Sequence, residues 1–391
     1  MEHIYTVPVE TTGWELADVG ATVAFDWEYD GGRERMLNLY QKGKDKQWDA
    51  THRIDWSPTI DPTDQGMLPD EVVPIFGSDT WNRLSRADKD NVRHHYLAWT
   101  NSQFLHGEQG ALICSAKIVS TVPEIDSKFY AATQTMDEAR HVETYARYLT
   151  EKLELAYPIN DSLRSLLDQT ISDSRWDFTY LGMQVMIEGV ALAAFSMIRD
   201  FTTDPLARSI NAYVMQDEAR HIAFGRLALK DAYAALTEPE RREREEFVIE
   251  ASELLRDRFL AREVWENLGF DADALCAYVD QHQMMTEFRK ALFSRVVPTV
   301  KDIGLWGDEV QRTYERMGVL GFQDLDIEEL SDNDERIAAE MEELLAARAE
   351  GHPVATTGSR AAEMAATIAA GDGDPAAEAP AAEAPGADAT A

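Results

Sequence analysis

The pentapeptide Asp-Glu-Ala-Arg-His stands twice in this chain, at Asp137–His141 and at Asp217–His221. A further glutamate lies thirty residues before the glutamate of each copy, Glu108 before Glu138 and Glu188 before Glu218. Glu and His spaced i, i+3 share one helix face, so each copy presents a carboxylate and an imidazole to the same point. Each thirty-residue interval is bisected by a turn, at Pro123 in the first and at Thr203 beside Asp204-Pro205 in the second. At about 1.5 Å per residue the chain climbs ~22 Å, reverses and descends as far, which brings both glutamates to one height. The competing reading is a pair of salt-bridged surface helices. Against it, apolar residues surround the glutamates: Phe104, Leu105, Ala111 and Leu112 near Glu108, and Leu181, Val185, Ala191, Leu192 and Phe195 near Glu188. Carboxylates centred on apolar stripes are buried, and buried unpaired carboxylates are too costly to keep charged.

Two divalent cations neutralise four converging carboxylates. Four-helix bundles that hold two iron or manganese ions take one Glu from each of two helices and Glu-x-x-His from each of the other two. Glu108, Glu138, His141, Glu188, Glu218 and His221 supply that set. Carboxylate and imidazole suit Fe or Mn over thiophilic metals, with Fe/Fe and Mn/Fe both open. A metal-bound histidine normally donates its other ring N–H to a carboxylate. Asp137 and Asp217 are placed to do this by crossing over, Asp217 to His141 and Asp137 to His221, with Arg140 and Arg220 neutralising them. Gln134 and Gln184 sit one turn before Glu138 and Glu188 and either orient substrate or water or serve as structural amides. The expected pocket lining is Ala111, Leu112, Thr135, Ala191, Leu192 and Met215. Cys114 reads as an ordinary buried thiol, and no other histidine has ligand-spaced neighbours.

The elements that must carry these residues are helices. The pattern predicts helices at about 33–50, 85–121, 127–155, 161–200 (a short helix, a bend, then a long one) and 204–236. Others follow at about 240–268, 273–295 and 307–317, with Thr237 and Glu240 as a capping pair. Residues 1–30 read as a strand or extended arm. The expected organisation is an N-terminal arm and flanking helix (1–85), a four-helix bundle (86–236), packing helices (237–322), an acidic helical segment (323–350) and a disordered Ala/Pro/Glu-rich tail (351–391). The chain has 391 residues and a formal charge of −34, which argues against nucleic acid or an anionic membrane as partner. Two cysteines and no basic-then-apolar leader point to a reducing cytoplasm. The longest apolar stretch, Gly189–Ile198, reads as a core helix too short for a bilayer.

On these ligands and spacings the chain resembles the ferritin-like di-iron carboxylate superfamily, in its oxygen-activating branch. The resemblance is strong over about 88–236. It implies an all-α ferritin-like four-helix bundle with additional flanking helices, and O₂-dependent oxidation or hydroxylation of a small, largely apolar organic substrate. It further implies an external electron donor and allows a homodimer. By the same resemblance Glu108, Glu138 and His141 bind one metal and Glu188, Glu218 and His221 the other, with carboxylates bridging. Gly107-Glu108 followed by Asp137–His141 looks most like monooxygenase hydroxylase subunits, which carry a threonine where this chain has Leu192. Radical-generating subunits of ribonucleotide reductase carry their tyrosine where this chain has Tyr145, and usually aspartate in place of Glu108. That radical role and an iron-handling ferroxidase are the alternatives.

Overall fold

The computed structural model describes residues 32–349 and, before them, Ile4, Thr6, Val7, Val23, Ala24 and Asp26. Contacts group Met1–Val354 as one unit. The expected tail at 351–391 and most of the expected N-terminal arm lie outside the described residues. Ile4 and Thr6 do pair with Ala156, at 2.8 and 3.0 Å.

Helix α1 covers Glu34–Asp45. It ends five residues before the expected end near residue 50, and a separate turn of helix follows at Ala50–Arg53, capped by Asp49. Helix α2, Arg86–Thr121, opens with a reciprocal capping box between Ser85 and Asp88. It packs antiparallel on α3, Ile125–Tyr148, across the Pro123 turn. A wider turn, Leu149–Leu153, ends α3 and closes on Glu154, whose φ is 50°. A short helix at Asp161–Ser172 leads to α4, a continuous run made of Trp176–Tyr180, Leu181–Ile187 and Glu188–Phe201. Its middle segment is π-helical. Helix α5, Pro205–Tyr233, starts with Asp204 as cap and proline in its first turn, and packs antiparallel on α4.

The two hairpins α2–α3 and α4–α5 form the four-helix bundle, and α1 lies across α3 and α5. By length and composition Trp176–Arg199 is apolar enough to cross a bilayer, which corrects the shorter estimate from sequence. In the fold 78% of its apolar window is buried inside the protein. Two aromatic layers bracket the bundle's middle. Phe104, Tyr145 and Phe195 form one, with ring centroids 4.7 to 5.9 Å apart. Tyr130, Tyr180 and Phe224 form the other, with Phe224 4.2 and 5.2 Å from the two tyrosines. Such pairs contribute about 0.5–1.5 kcal/mol each beyond their buried area, and so help hold a centre crowded with carboxylates.

Past the bundle the expected helix at 240–268 is broken. Glu238–Asp257 ends in a 3₁₀ turn, and Ala261, at φ 51°, restarts the chain as Arg262–Asn267. The expected 273–295 helix is likewise two, Ala272–Gln281 and Gln283–Ala291, followed by Val296–Asp302, which the sequence did not indicate. Asp308–Arg316 lies where expected. The acidic segment forms α6, Ile327–Ala349, packed against α5.

Candidate metal centre

Each bundle helix brings its share to one level. Glu108 comes from α2, Glu138 and His141 from α3, Glu188 from the first residue after the π turn of α4, and Glu218 and His221 from α5. None is more than 5% exposed. His141 Nδ1 lies 3.2 Å from Glu108, 3.3 Å from Glu138 and 3.2 Å from Glu218. His221 Nδ1 lies 3.1 Å from Glu138 and 3.6 Å from Glu218. Donor atoms of Glu108, Glu138, His141 and Glu218 all fall within 4.8 Å of one another, as do those of Glu138, Glu188 and His221. Glu138 belongs to both groups.

The residues fit a pair of hard-to-borderline cations. Both Glu218 oxygens, one oxygen each of Glu138 and Glu188, and His221 Nδ1 are buried without a hydrogen-bond partner. Unpaired buried acceptors of this kind are costly unless something cationic satisfies them. Burial raises Glu108 and Glu188 well above the usual carboxylate range, with the neighbouring glutamates adding to it. Burial works in the same direction on Glu138, but the His221 and His141 imidazoles outweigh it and hold that carboxyl low. For His141 and His221 burial acts downward, and the facing carboxylates, Glu108 and Glu138 first among them, raise both well above the ordinary imidazole value.

The far sides of the imidazoles cross over. His141 Nε2 is 3.0 Å from Asp217 and His221 Nε2 is 3.3 Å from Asp137. Arg140 donates to Asp137 at 2.6 Å and to Asp217 at 2.8 Å, and Arg220 donates to Asp217. Two further partners come from the chain just after α1, which sequence reasoning missed. The Trp48 indole N–H donates to Asp217 at 2.8 Å, and Gln47 donates to Asp137 at 2.7 Å and accepts from Arg140 at 2.7 Å. The Arg140 guanidinium also lies over the Trp48 ring, 4.6 Å from its centroid. Gln47-Trp48 belongs to neither repeat, so only the fold could place it.

Gln134 donates to Glu138 and Glu188, both at 3.0 Å, and Gln184 donates to Gln134 at 3.3 Å. Tyr145 donates to Asn211 at 3.2 Å. Cys114 is fully buried and its thiol is pushed up by that burial, so it stays protonated. A cavity of about 40 Å³ opens one turn beyond Glu188, lined by Leu192, Ala219, Ile222, Arg226, Arg295 and Asp334 among others. Of the six lining residues expected from sequence, Leu192 alone borders it. The Thr135 hydroxyl turns back onto the Ala131 carbonyl of its own helix, at 2.7 Å.

A titration follows from these charges. Metal requires neutral imidazole and ionised carboxylate. The raised imidazoles and the raised carboxyls of Glu108 and Glu188 favour proton binding in the metal-free site, so loading must expel protons. Adding Fe²⁺ anaerobically to weakly buffered protein should therefore release protons, and affinity should tighten as pH rises. Calorimetry in two buffers of different ionisation enthalpy checks this, and heats that do not depend on the buffer would contradict it.

Comparison with known proteins gives a family. The family model described as P-aminobenzoate N-oxygenase AurF matches residues 31–304. No curated protein matches the chain. Among solved structures, an R2-like ligand-binding oxidase variant with an aerobically reconstituted Mn/Fe cofactor is 18% identical, with a TM-score of 0.43. That match covers 68% of this chain and 94% of the other. The R2-like ligand-binding oxidase from Sulfolobus acidocaldarius is also 18% identical, covering 76% of this chain and 98% of that one, with a TM-score of 0.45.

Proposed function

We propose a role for each ligand from one premise: the chain belongs to the family of the P-aminobenzoate N-oxygenase AurF, whose model matches more than half of its length. It is an O₂-dependent di-metal oxidoreductase acting on small organic molecules. Glu108 and His141 would hold one ion and Glu188 and His221 the other, with Glu138 and Glu218 within reach of both. The supporting observation is that Glu138 and Glu218 each approach both imidazole Nδ1 atoms, at 3.1 to 3.6 Å. When bound, two irons, or manganese with iron, supply the electrons that reduce O₂ and the oxidising power that reaches the substrate.

The protein's own part is positioning. Asp217 and Asp137 accept from the Nε2–H groups of His141 and His221, which fixes the tautomer that turns each Nδ1 lone pair to the metals. Arg140 and Arg220 balance those aspartates, so the cluster keeps its carboxylate count without a surplus of buried negative charge. The aromatic layers above and below exclude water. Gln134 ties Glu138 to Glu188, limiting how far either carboxylate can swing.

The family's namesake acts on p-aminobenzoate, and by that likeness the substrate here is a small aromatic amine. The cavity beside Leu192, at about 40 Å³, is far below the ~150 Å³ that takes a benzene ring. The substrate therefore enters as α6 shifts from its place over the cavity, where Arg295 holds Asp334 at 2.8 Å. Electrons come from an external donor, and the two buried, unpaired cysteines suit a reducing cytoplasm.

Iron-loaded protein given O₂, a chemical reductant and a panel of aromatic amines should yield a product heavier by one oxygen atom. It should leave no long-lived tyrosyl radical. Tyr145 is buried against Phe104 and Phe195 and bonded to Asn211, which suits a packing residue. A persistent radical signal that disappears in Tyr145→Phe, with no oxygenated product, would favour the radical-generating alternative instead.

A further inference from the structure

An open pocket of about 340 Å³ lies between α1 and the outer face of α3. Tyr40, Lys44 and Gln47 line one side of it, and Phe129, Thr133 and Met136 the other. The rings of Tyr40 and Phe129 stand 5.6 Å apart, and Lys44 Nζ lies 4.3 Å over the Tyr40 ring. Met136 is 62% exposed, more than any other large apolar side chain among the described residues. An exposed methionine beside two aromatic rings is the composition of a protein contact surface, since methionine and aromatic residues are enriched there.

Two further observations say what this surface contacts. The first is position. Met136 faces outward on the helix whose inner face carries Glu138 and His141, so a molecule seated there stands one helix thickness, about 10–12 Å, from the metal site. Gln47 spans that thickness. It lines the pocket and donates to Asp137 at 2.7 Å, and Asp137 lies 3.3 Å from His221 Nε2. Two hydrogen bonds therefore join the pocket wall to an imidazole of the metal site. The second is charge. Three of the chain's ten lysines stand at 42, 44 and 46, and residues 33–53 hold six basic and three acidic side chains in a protein of formal charge −34. None of the residues lining the pocket is acidic. Lys42 meets Glu335 at 2.8 Å with both side chains more than half exposed, a weak pairing that exchanges readily for another carboxylate.

We propose that this pocket is where the external electron donor docks, and that the donor is a small acidic iron–sulfur protein. Carboxylates rimming such a protein's cluster complement the lysines of α1, while Tyr40, Phe129 and Met136 supply the apolar contact. The rest of this acidic surface repels an acidic carrier, so the lysines decide where it lands. A basic carrier would be drawn to the protein everywhere and would gain nothing from this pocket. Electron-transfer encounters are small, below about 1,200 Å², and a compact pocket with a charged rim suits one. Each encounter oxidises the carrier's cluster by one electron and reduces one ion of the metal pair by one. Two encounters supply the two electrons that, with O₂ and two protons from solvent, leave one oxygen atom in the substrate and the other in water.

The inference rests on the O₂-activating reading, and its test separates the two. The probe is an acidic two-iron, two-sulfur ferredoxin, titrated by calorimetry into the metal-loaded protein at low and at raised ionic strength. It should bind, and binding should weaken as salt rises. Lys44→Glu and Met136→Glu should each weaken that binding about tenfold and slow ferredoxin-driven O₂ consumption in step. Neither should change iron content or the O₂ consumption driven by a chemical reductant, because both side chains point away from the ligands. Wild-type affinity in both variants, or a ferredoxin that does not bind at all, would overturn the docking face. So would a dimer that Met136→Glu splits into monomers in sedimentation, since a second copy would then fill the pocket. A raised KM for the aromatic amine under chemical reductant would overturn it too, by making the pocket a substrate entrance. If wild-type protein given chemical reductant consumes no O₂, the enzyme reading fails, and ferredoxin affinity across the three proteins still decides the docking face.

Discussion

Glu138→Ala should strip the chain of most of both metals, from about two ions to well under one per protein. Glu138 is the residue with the most to lose. Its two oxygens face His221 Nδ1 at 3.1 Å and His141 Nδ1 at 3.3 Å, so it stands in both donor groups at once. Its removal leaves Glu108, His141 and Glu218 for one ion, and Glu188 and His221 for the other. It also takes away one of the two acceptors of the Gln134 amide. His221→Ala should empty the second position first, since Glu188 and the shared carboxylates alone remain there. Helix content should survive in both variants, because the two aromatic layers and the α1 contacts do not depend on metal. Metal analysis with circular dichroism on the same samples checks this. Full metal retention in both variants, or a single tightly bound zinc in the wild type, would remove the basis of the two-metal reading.

The sequence carried the centre far better than its surroundings. Glu-x-x-His on one helix face and a glutamate at the mirror position across a turn are local facts, fixed by the helical period. The structure duly brings Glu108, Glu138, His141, Glu188, Glu218 and His221 together. The capping pair Thr237 and Glu240 and the helix starts near residues 85 and 204 were equally local, and those starts appear. What the sequence left out is what distant segments contribute. Trp48 reaches Asp217 across 169 residues, and Asn211 reaches Tyr145 across 66. No spacing rule connects such pairs. The π turn at Leu181–Ile187 was also invisible, because apolar residues in this segment satisfy a 3.6-residue period nearly as well. Its effect is to seat Gln184 against Gly225, and only glycine leaves room there. The break at Ala261 went unread for a related reason. Alanine is a strong helix former, and here packing of Phe259, Val264 and Trp265 into the core overrides that preference.

Asp217→Asn should weaken the ion held through His141 by about 10–100-fold while leaving the fold intact. The carboxylate is the most heavily used acceptor near the site. One oxygen takes the Trp48 indole N–H at 2.8 Å, Arg140 at 2.8 Å and His141 Nε2 at 3.0 Å, and the other takes Arg220. Burial alone would raise this group, but Arg220, His141 and Arg140 outweigh it and hold it far below the usual carboxylate range. An asparagine has one acceptor and one donor. Whichever way its amide turns, an N–H faces either Arg220 or the trio of Trp48, Arg140 and His141, and two buried guanidiniums lose half their countercharge. His141 then lacks the partner that fixes its tautomer, and its Nδ1 lone pair is no longer held toward the metal. Asp137→Asn should do less, since its contact with His221 is longer, at 3.3 Å. Anomalous scattering at the metal edges resolves the two positions. Selective loss of occupancy beside His141 is the expected result, and equal, wild-type occupancy of both positions at limiting metal would show that the crossed aspartates do not govern binding.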